Sequence, residues 1–134
     1  MNLSLILLTV KKNITKYEKN MNHIPEEIKI SLSDIKHYKL VGIEGDVNLY
    51  SVSQLRKDII KLIEEGHTSI IIDMLNVRYM DSSGIALMAN LQKKIKSSNG
   101  FFGLVNMNVE IKNILRLAAL EKYFAIFDDI NSLP

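Results

Sequence analysis

Two hydrophobic periods alternate along the chain, and the places where one gives way to the other mark its elements. Ile28-Lys29-Ile30-Ser31-Leu32 repeats every second residue, which predicts a strand with one apolar face. Tyr38-Lys39-Leu40-Val41-Gly42-Ile43 reads as its hairpin partner, with Ser33 to His37 as the turn and Gly45-Asp46 closing the pair. The period then lengthens. Val52, Leu55, Ile59, Leu62 and Ile63 share one helical stripe, Ser51 and Gln54 have capping-box spacing, and Gly66 stops the helix. Ser69-Ile70-Ile71-Ile72-Asp73 carries three consecutive isoleucines, the mark of a strand buried on both faces as in parallel sheets.

The alternation continues to the end. A short loop, Leu75 to Met80, leads into Asp81-Ser82-Ser83-Gly84 and a helix with Ile85, Met88, Leu91 and Ile95 inward, closed by Asn99-Gly100. Phe101 to Val105 is a further strand. Asn108 caps a third helix bearing Ile111, Ile114, Leu115 and Ala118 on one face, and Ala125-Ile126-Phe127 forms a short last strand. The order β-β-α-β-α-β-α-(β) predicts an α/β domain: a small mixed sheet flanked by helices, spanning residues 26–134. Residues 1–25 stand outside it. Their apolar run, Leu3 to Val10, is well short of the ~20 residues of a membrane span, and its lysines follow it instead of preceding it as in a secretory signal. The alternatives are an over-extended start upstream of Met21 and an amphipathic or disordered tail; either leaves residues 1–20 dispensable for folding.

Composition narrows the chemistry. With 134 residues and 47% apolar content the chain can bury a core without staples. No cysteine is present, which removes disulfides, zinc-thiolate sites, iron–sulfur clusters and thiol nucleophiles. The net charge is +2, and residues 1–25 carry a surplus of +3, leaving the remainder at −1. Such a body has no nucleic-acid footprint. His23, His37 and His67 fall in the tail, a turn and a helix end, without metal-ligand spacing. No glycine-rich phosphate cradle exists, and Ser82 and Ser83 lie in no G-x-S-x-G elbow, so no enzymatic chemistry is indicated.

Asp81-Ser82-Ser83-Gly84 delivers hydroxyls to a helix N-terminus. The tetrad reads either as an ordinary N-cap or as a phosphoacceptor whose phosphate would meet free amides at the positive end of the helix dipole. The stretch from Asp73 to Gly84 resembles the signature of the STAS domain, specifically of bacterial anti-sigma factor antagonists: an aspartate ending a buried strand, then a hydrophobic-Asp-Ser-Ser-Gly tetrad opening a helix. Gly45-Asp46-Val47-Asn48, Asn99 to Val105, and Leu115 to Phe124 resemble further elements of that family, the last its third helix. The chain departs from the family at Asn48, where an acid is frequent, and at Ala119, where glycine is usual.

The resemblance implies a STAS-like single domain that is not an enzyme and carries no cofactor or metal. It implies a cytoplasmic partner-switching cycle. The unphosphorylated antagonist binds an anti-sigma factor serine/threonine kinase, which brings the ATP and Mg²⁺, and so frees a sigma factor. The kinase then phosphorylates Ser82, and a serine phosphatase resets it. Asp46, Asn48, Asp81, Ser83 and Gly84, with the outward face of the helix they open, would meet the partner. Gly84 would accept a Cβ, because glycine inside a helix is costly. The protein would be a monomer or weak dimer. The rivals are a STAS module of another signalling or transport-linked assembly, a receiver domain phosphorylated on Asp73, and a hydrolase built on Ser82.

Overall fold

A computed structural model describes residues 28–134; the extension 1–25, with His23, lies outside the described residues. Five strands form one sheet in the order β1-β2-β3-β4-β5. They are β1 (Lys29–Ile35), β2 (Tyr38–Glu44), β3 (Ser69–Asn76), β4 (Phe101–Val105) and β5 (Ala125–Phe127). The β1–β2 pair is antiparallel and every later pair is parallel. Each parallel step crosses over through a helix: α1 (Val52–Glu64), α2 (Ser82–Ser97) and α3 (Val109–Leu117). The predicted architecture is therefore present, final strand included.

The hairpin differs in detail. β1 runs on to Ile35, and the turn is only Lys36-His37, with Lys36 at φ 53. Lys39 faces Asp34 across the ladder at 2.8 Å, and this ion-paired hydrogen bond holds the Asp34 carboxyl below its ordinary range. β1 is an edge strand with no fully buried residue: Ile28, just before it, is buried, Ile30 is half-buried and Leu32 is exposed.

Ile70, Ile71 and Ile72 are all fully buried, as a strand covered on both faces requires. The two covers are unequal. Ile70 and Ile72 join the large core with Leu55 and Ile59 of α1, Leu87 and Leu91 of α2, and Ile111 and Leu115 of α3. Ile71 points the other way, into a smaller cluster with Tyr38, Val105 and Leu133. All three helices thus pack on one face, and the C-terminal segment lies on the other. Lys36 Nζ and Tyr38 OH fasten that segment by donating to the carbonyls of Leu133 (2.8 Å) and Pro134 (2.9 Å).

Helix ends follow the sequence with two exceptions. Gly66 (φ 98) and Asn99 (φ 57) take the left-handed positions after α1 and α2. The third helix stops at Leu117, because Ala119 adopts φ 57 and the amides of Ala119 and Leu120 turn back to Arg116 and Leu115. The segment to Phe124 is therefore mostly turn, and Ala118 is exposed instead of facing the core. At the start of α1 the predicted Ser51–Gln54 box does not form. Asn48 does that work: its Oδ1 accepts the amides of Tyr50 (2.9 Å) and Ser51 (3.2 Å), and Ser51 Oγ accepts the Asn48 amide (3.0 Å) while donating to the Asp46 carbonyl (2.7 Å).

Candidate functional site

Parallel strands all end on the same edge of the sheet, so the β2–α1, β3–α2 and β4–α3 connections gather there. This gathering brings Asp46 and Asn48 to Asp81–Gly84, across more than thirty residues of sequence. The joint is made by backbone: Val47 and Met80 form an isolated parallel bridge, Val47 N donates to the Tyr79 carbonyl (3.0 Å), and Asp81 N donates to the Val47 carbonyl (3.1 Å). The third loop is added by Asn108, which caps α3 at the Ile111 amide (2.8 Å) and donates through Nδ2 to the carbonyls of Val77 (3.2 Å) and Arg78 (3.0 Å).

Asp81 is the N-cap of α2. Its Oδ1 accepts the amides of Ser83 (2.9 Å) and Gly84 (3.3 Å), and its Oδ2 accepts the amide of Leu49 (3.2 Å). One carboxylate therefore starts the helix and holds the neighbouring loop. Of the amides that sequence reasoning left free for a phosphate, those of Ser83 and Gly84 are already satisfied by Asp81. Ser82 follows at the first helical position, exposed, and its hydroxyl makes no hydrogen bond among the described residues. Ser83 is half-buried. The accessible hydroxyl is that of Ser82.

The remaining site residues sort by exposure. Asp46 projects into solvent, whereas Asn48 is half-buried and its side-chain oxygen is spent on the turn. Gly84 is buried, and here the structure overturns an expectation. A Cβ at position 84 would lie 2.6 Å from Met80 Cγ, 2.7 Å from Val47 Cγ1 and 3.0 Å from the Val47 carbonyl oxygen. Glycine is needed for the close approach of the two loops, so the fold does not accept a Cβ there.

Asp73, the acceptor of the receiver alternative, is engaged structurally: its Oδ1 accepts from the Leu75 amide (3.1 Å) and from Asn106 Nδ2 (2.9 Å). Among the described residues no group of three His, Cys, Asp or Glu side chains could hold a metal ion, and no helix is long and apolar enough to cross a membrane. A groove of about 250 Å³ lies between β1–β2 and α1, lined by Ile30, Leu32 and Ile59 among others, away from Ser82. Sequence reasoning missed the exposed Leu49, Tyr50, Leu75, Tyr79 and Val109, which surround this edge. Their only signal was that they are large apolar residues outside every helical or strand stripe.

The mixed sheet with three crossover helices and the Met80-Asp81-Ser82-Ser83-Gly84 turn at the head of the second helix agree with the STAS resemblance. The chain belongs to that family, whose profile matches residues 29–133. Among its relatives is the anti-sigma-F factor antagonist RsfB of Mycobacterium tuberculosis, 24% identical over 107 residues that cover 80% of this chain and 87% of the relative. The crystal structure of an anti-sigma factor antagonist from Mycobacterium paratuberculosis superposes with a TM-score of 0.72 at 20% identity, covering 80% of this chain and 91% of that one. The same fold occurs in the murine anion transporter Slc26a9, with a TM-score of 0.64 at 15% identity, covering 95% of this chain and 24% of the transporter. Fold alone therefore does not choose among the uses of a STAS domain.

Proposed function

We propose that this protein is an anti-sigma factor antagonist, a binding protein rather than an enzyme. Unmodified, it docks on a cytoplasmic anti-sigma factor serine/threonine kinase through the edge that carries Asp46, Asn48, Asp81 and Ser83, with Gly84 beneath, and a sigma factor is released. Phosphorylation of Ser82 by that kinase ends the binding, and a serine phosphatase restores it. The observation that carries this reading is the exposed, unbonded Ser82 hydroxyl next to an Asp81 carboxylate that already occupies the amides of Ser83 and Gly84. The antagonist relative supports it.

The switch follows from local electrostatics. A phosphate adds about −1.5 to −2 charge at neutral pH. The Ser83 and Gly84 amides are already taken by Asp81 and are not free to bond it; it stands beside Asp81 and near Asp46 and must lose its hydration when a partner closes over it. A penalty of ~3 kcal/mol weakens binding more than a hundredfold, and no global rearrangement is required.

The test uses the full chain, a panel of purified anti-sigma factor kinases, ATP and Mg²⁺. Titration calorimetry is expected to find a kinase that binds the unmodified chain, and intact-mass analysis one phosphate on Ser82. Ser82→Ala should bind and resist modification; Ser82→Asp should bind poorly. Phosphorylation of Ser82→Ala to wild-type extent would overturn the assignment, as would a phosphorylated wild-type chain that binds as tightly as before.

A further inference from the structure

Eight large apolar side chains are markedly exposed among the described residues, and five of them crowd the Ser82 edge: Leu49, Tyr50, Leu75, Tyr79 and Val109, each between 52% and 71% exposed. By contrast, the exposed positions of α2 include Asn90, Lys93 and Lys94, a polar face. The backbone beneath the apolar side chains is held in place. The amides of Leu49, Tyr50 and Leu75 donate to the side chains of Asp81, Asn48 and Asp73, and the Tyr79 carbonyl accepts from Val47. Val109 opens α3 directly after Asn108, whose amide group is bonded to the β3–α2 loop. Apolar groups on pre-ordered backbone cost little further entropy when a partner covers them, and clustered exposure of this kind marks an interaction surface.

We propose, on the reading that the chain docks an anti-sigma factor at this edge, that the contact is carried by an apolar surface. That surface runs from Leu49 and Tyr50 past Ser82 and Tyr79 to Leu75 and Val109, toward α3 instead of along α2. The anti-sigma factor meets it with aliphatic and aromatic side chains. Ser82 then lies within a surface that must be dried on binding, which is why one phosphate there suffices to prevent docking.

The experiment measures binding of the full chain to the anti-sigma factor kinase that the panel identifies. Leu75→Ser/Val109→Ser and Tyr79→Ser should each weaken binding by about tenfold or more with unchanged melting temperatures, because the removed groups are exposed. Leu117→Ser, 88% exposed at the far end of α3, should bind like wild type. Raising NaCl from about 0.05 to 0.5 M should change the wild-type affinity less than about threefold, since screening acts on charges and not on apolar contact. Wild-type affinity in the double variant and in Tyr79→Ser, or a tenfold salt-driven loss, would overturn the apolar surface while leaving the antagonist reading intact. Failure of the unmodified chain to bind any anti-sigma factor would overturn both.

Discussion

Asp81 Oδ2 accepts the backbone amide of Leu49 at 3.2 Å, while the other oxygen of the same carboxylate caps α2. This single side chain couples the loop that leads into α1 to the turn that presents Ser82. Asp81→Asn separates the two duties. The amide oxygen can still cap Ser83 and Gly84, but its NH₂ then faces the Leu49 N–H, donor against donor. One hydrogen bond and one favourable helix-dipole charge are lost, together about 1–2 kcal/mol. The expected result is a lower melting temperature and faster hydrogen exchange at the Leu49 amide. Asp46→Asn, altering an exposed carboxylate that makes no side-chain hydrogen bond among the described residues, should do neither. Unchanged protection at Leu49 in Asp81→Asn would show that the link is not formed in solution.

Gly84→Ala should destabilise. Replacing a helical glycine by alanine ordinarily gains about 0.5–1 kcal/mol, but here the methyl would press on Met80, Val47 and the Val47 carbonyl. Overpacking of this kind costs about 1–3 kcal/mol, and backbone cannot move aside as a flexible side chain does. A melting point several degrees lower is expected, and kinase binding should weaken as the Val47–Met80 bridge spreads. A raised melting temperature would mean that the loops part without cost.

Ala119→Gly should have the opposite sign. Ala119 holds φ 57 after α3, a conformation that disfavours a Cβ by about 1 kcal/mol or more. It is exposed, so nothing is lost in packing. Allowing for the greater freedom of glycine in the unfolded chain, a net gain of about 0.5–1 kcal/mol and a melting temperature a few degrees higher are expected. A lower melting temperature would contradict the left-handed turn.

Asn108→Ala removes a cap and a clamp at once. Losing the bond to the Ile111 amide costs about 0.5–2 kcal/mol, as at other N-caps. The Val77 and Arg78 carbonyls lose their donor as well. Asn108→Asp should recover the cap and, having no NH₂, leave the carbonyls unpaired. Exchange at the Ile111 amide and the stability of the β3–α2 loop should therefore separate: the first restored by Asp, the second not. Restoration of both by Asp would show that the clamp contributes nothing.

Local pattern sufficed for the elements because each is encoded in adjacent residues. The triple isoleucine of β3 specifies burial on both faces by itself, and Asn108 announces its helix through a bond three residues away. The Asp-Ser-Ser-Gly turn was legible for the same reason. What could not be read locally was set by contacts between distant segments. Gly84 reads as a helix position open to alanine until Val47, thirty-seven residues earlier, is laid against it. The second carboxylate oxygen of Asp81 has no visible task until Leu49 arrives beside it. Likewise, the cover over Ile71 is the C-terminal segment and not a helix, a choice that periodicity cannot express. Sequence determined the strands, the helices and the serine; only the parallel sheet, by bringing three connections to one edge, decided which amides are free, which glycine is a close contact, and which apolar side chains surround Ser82.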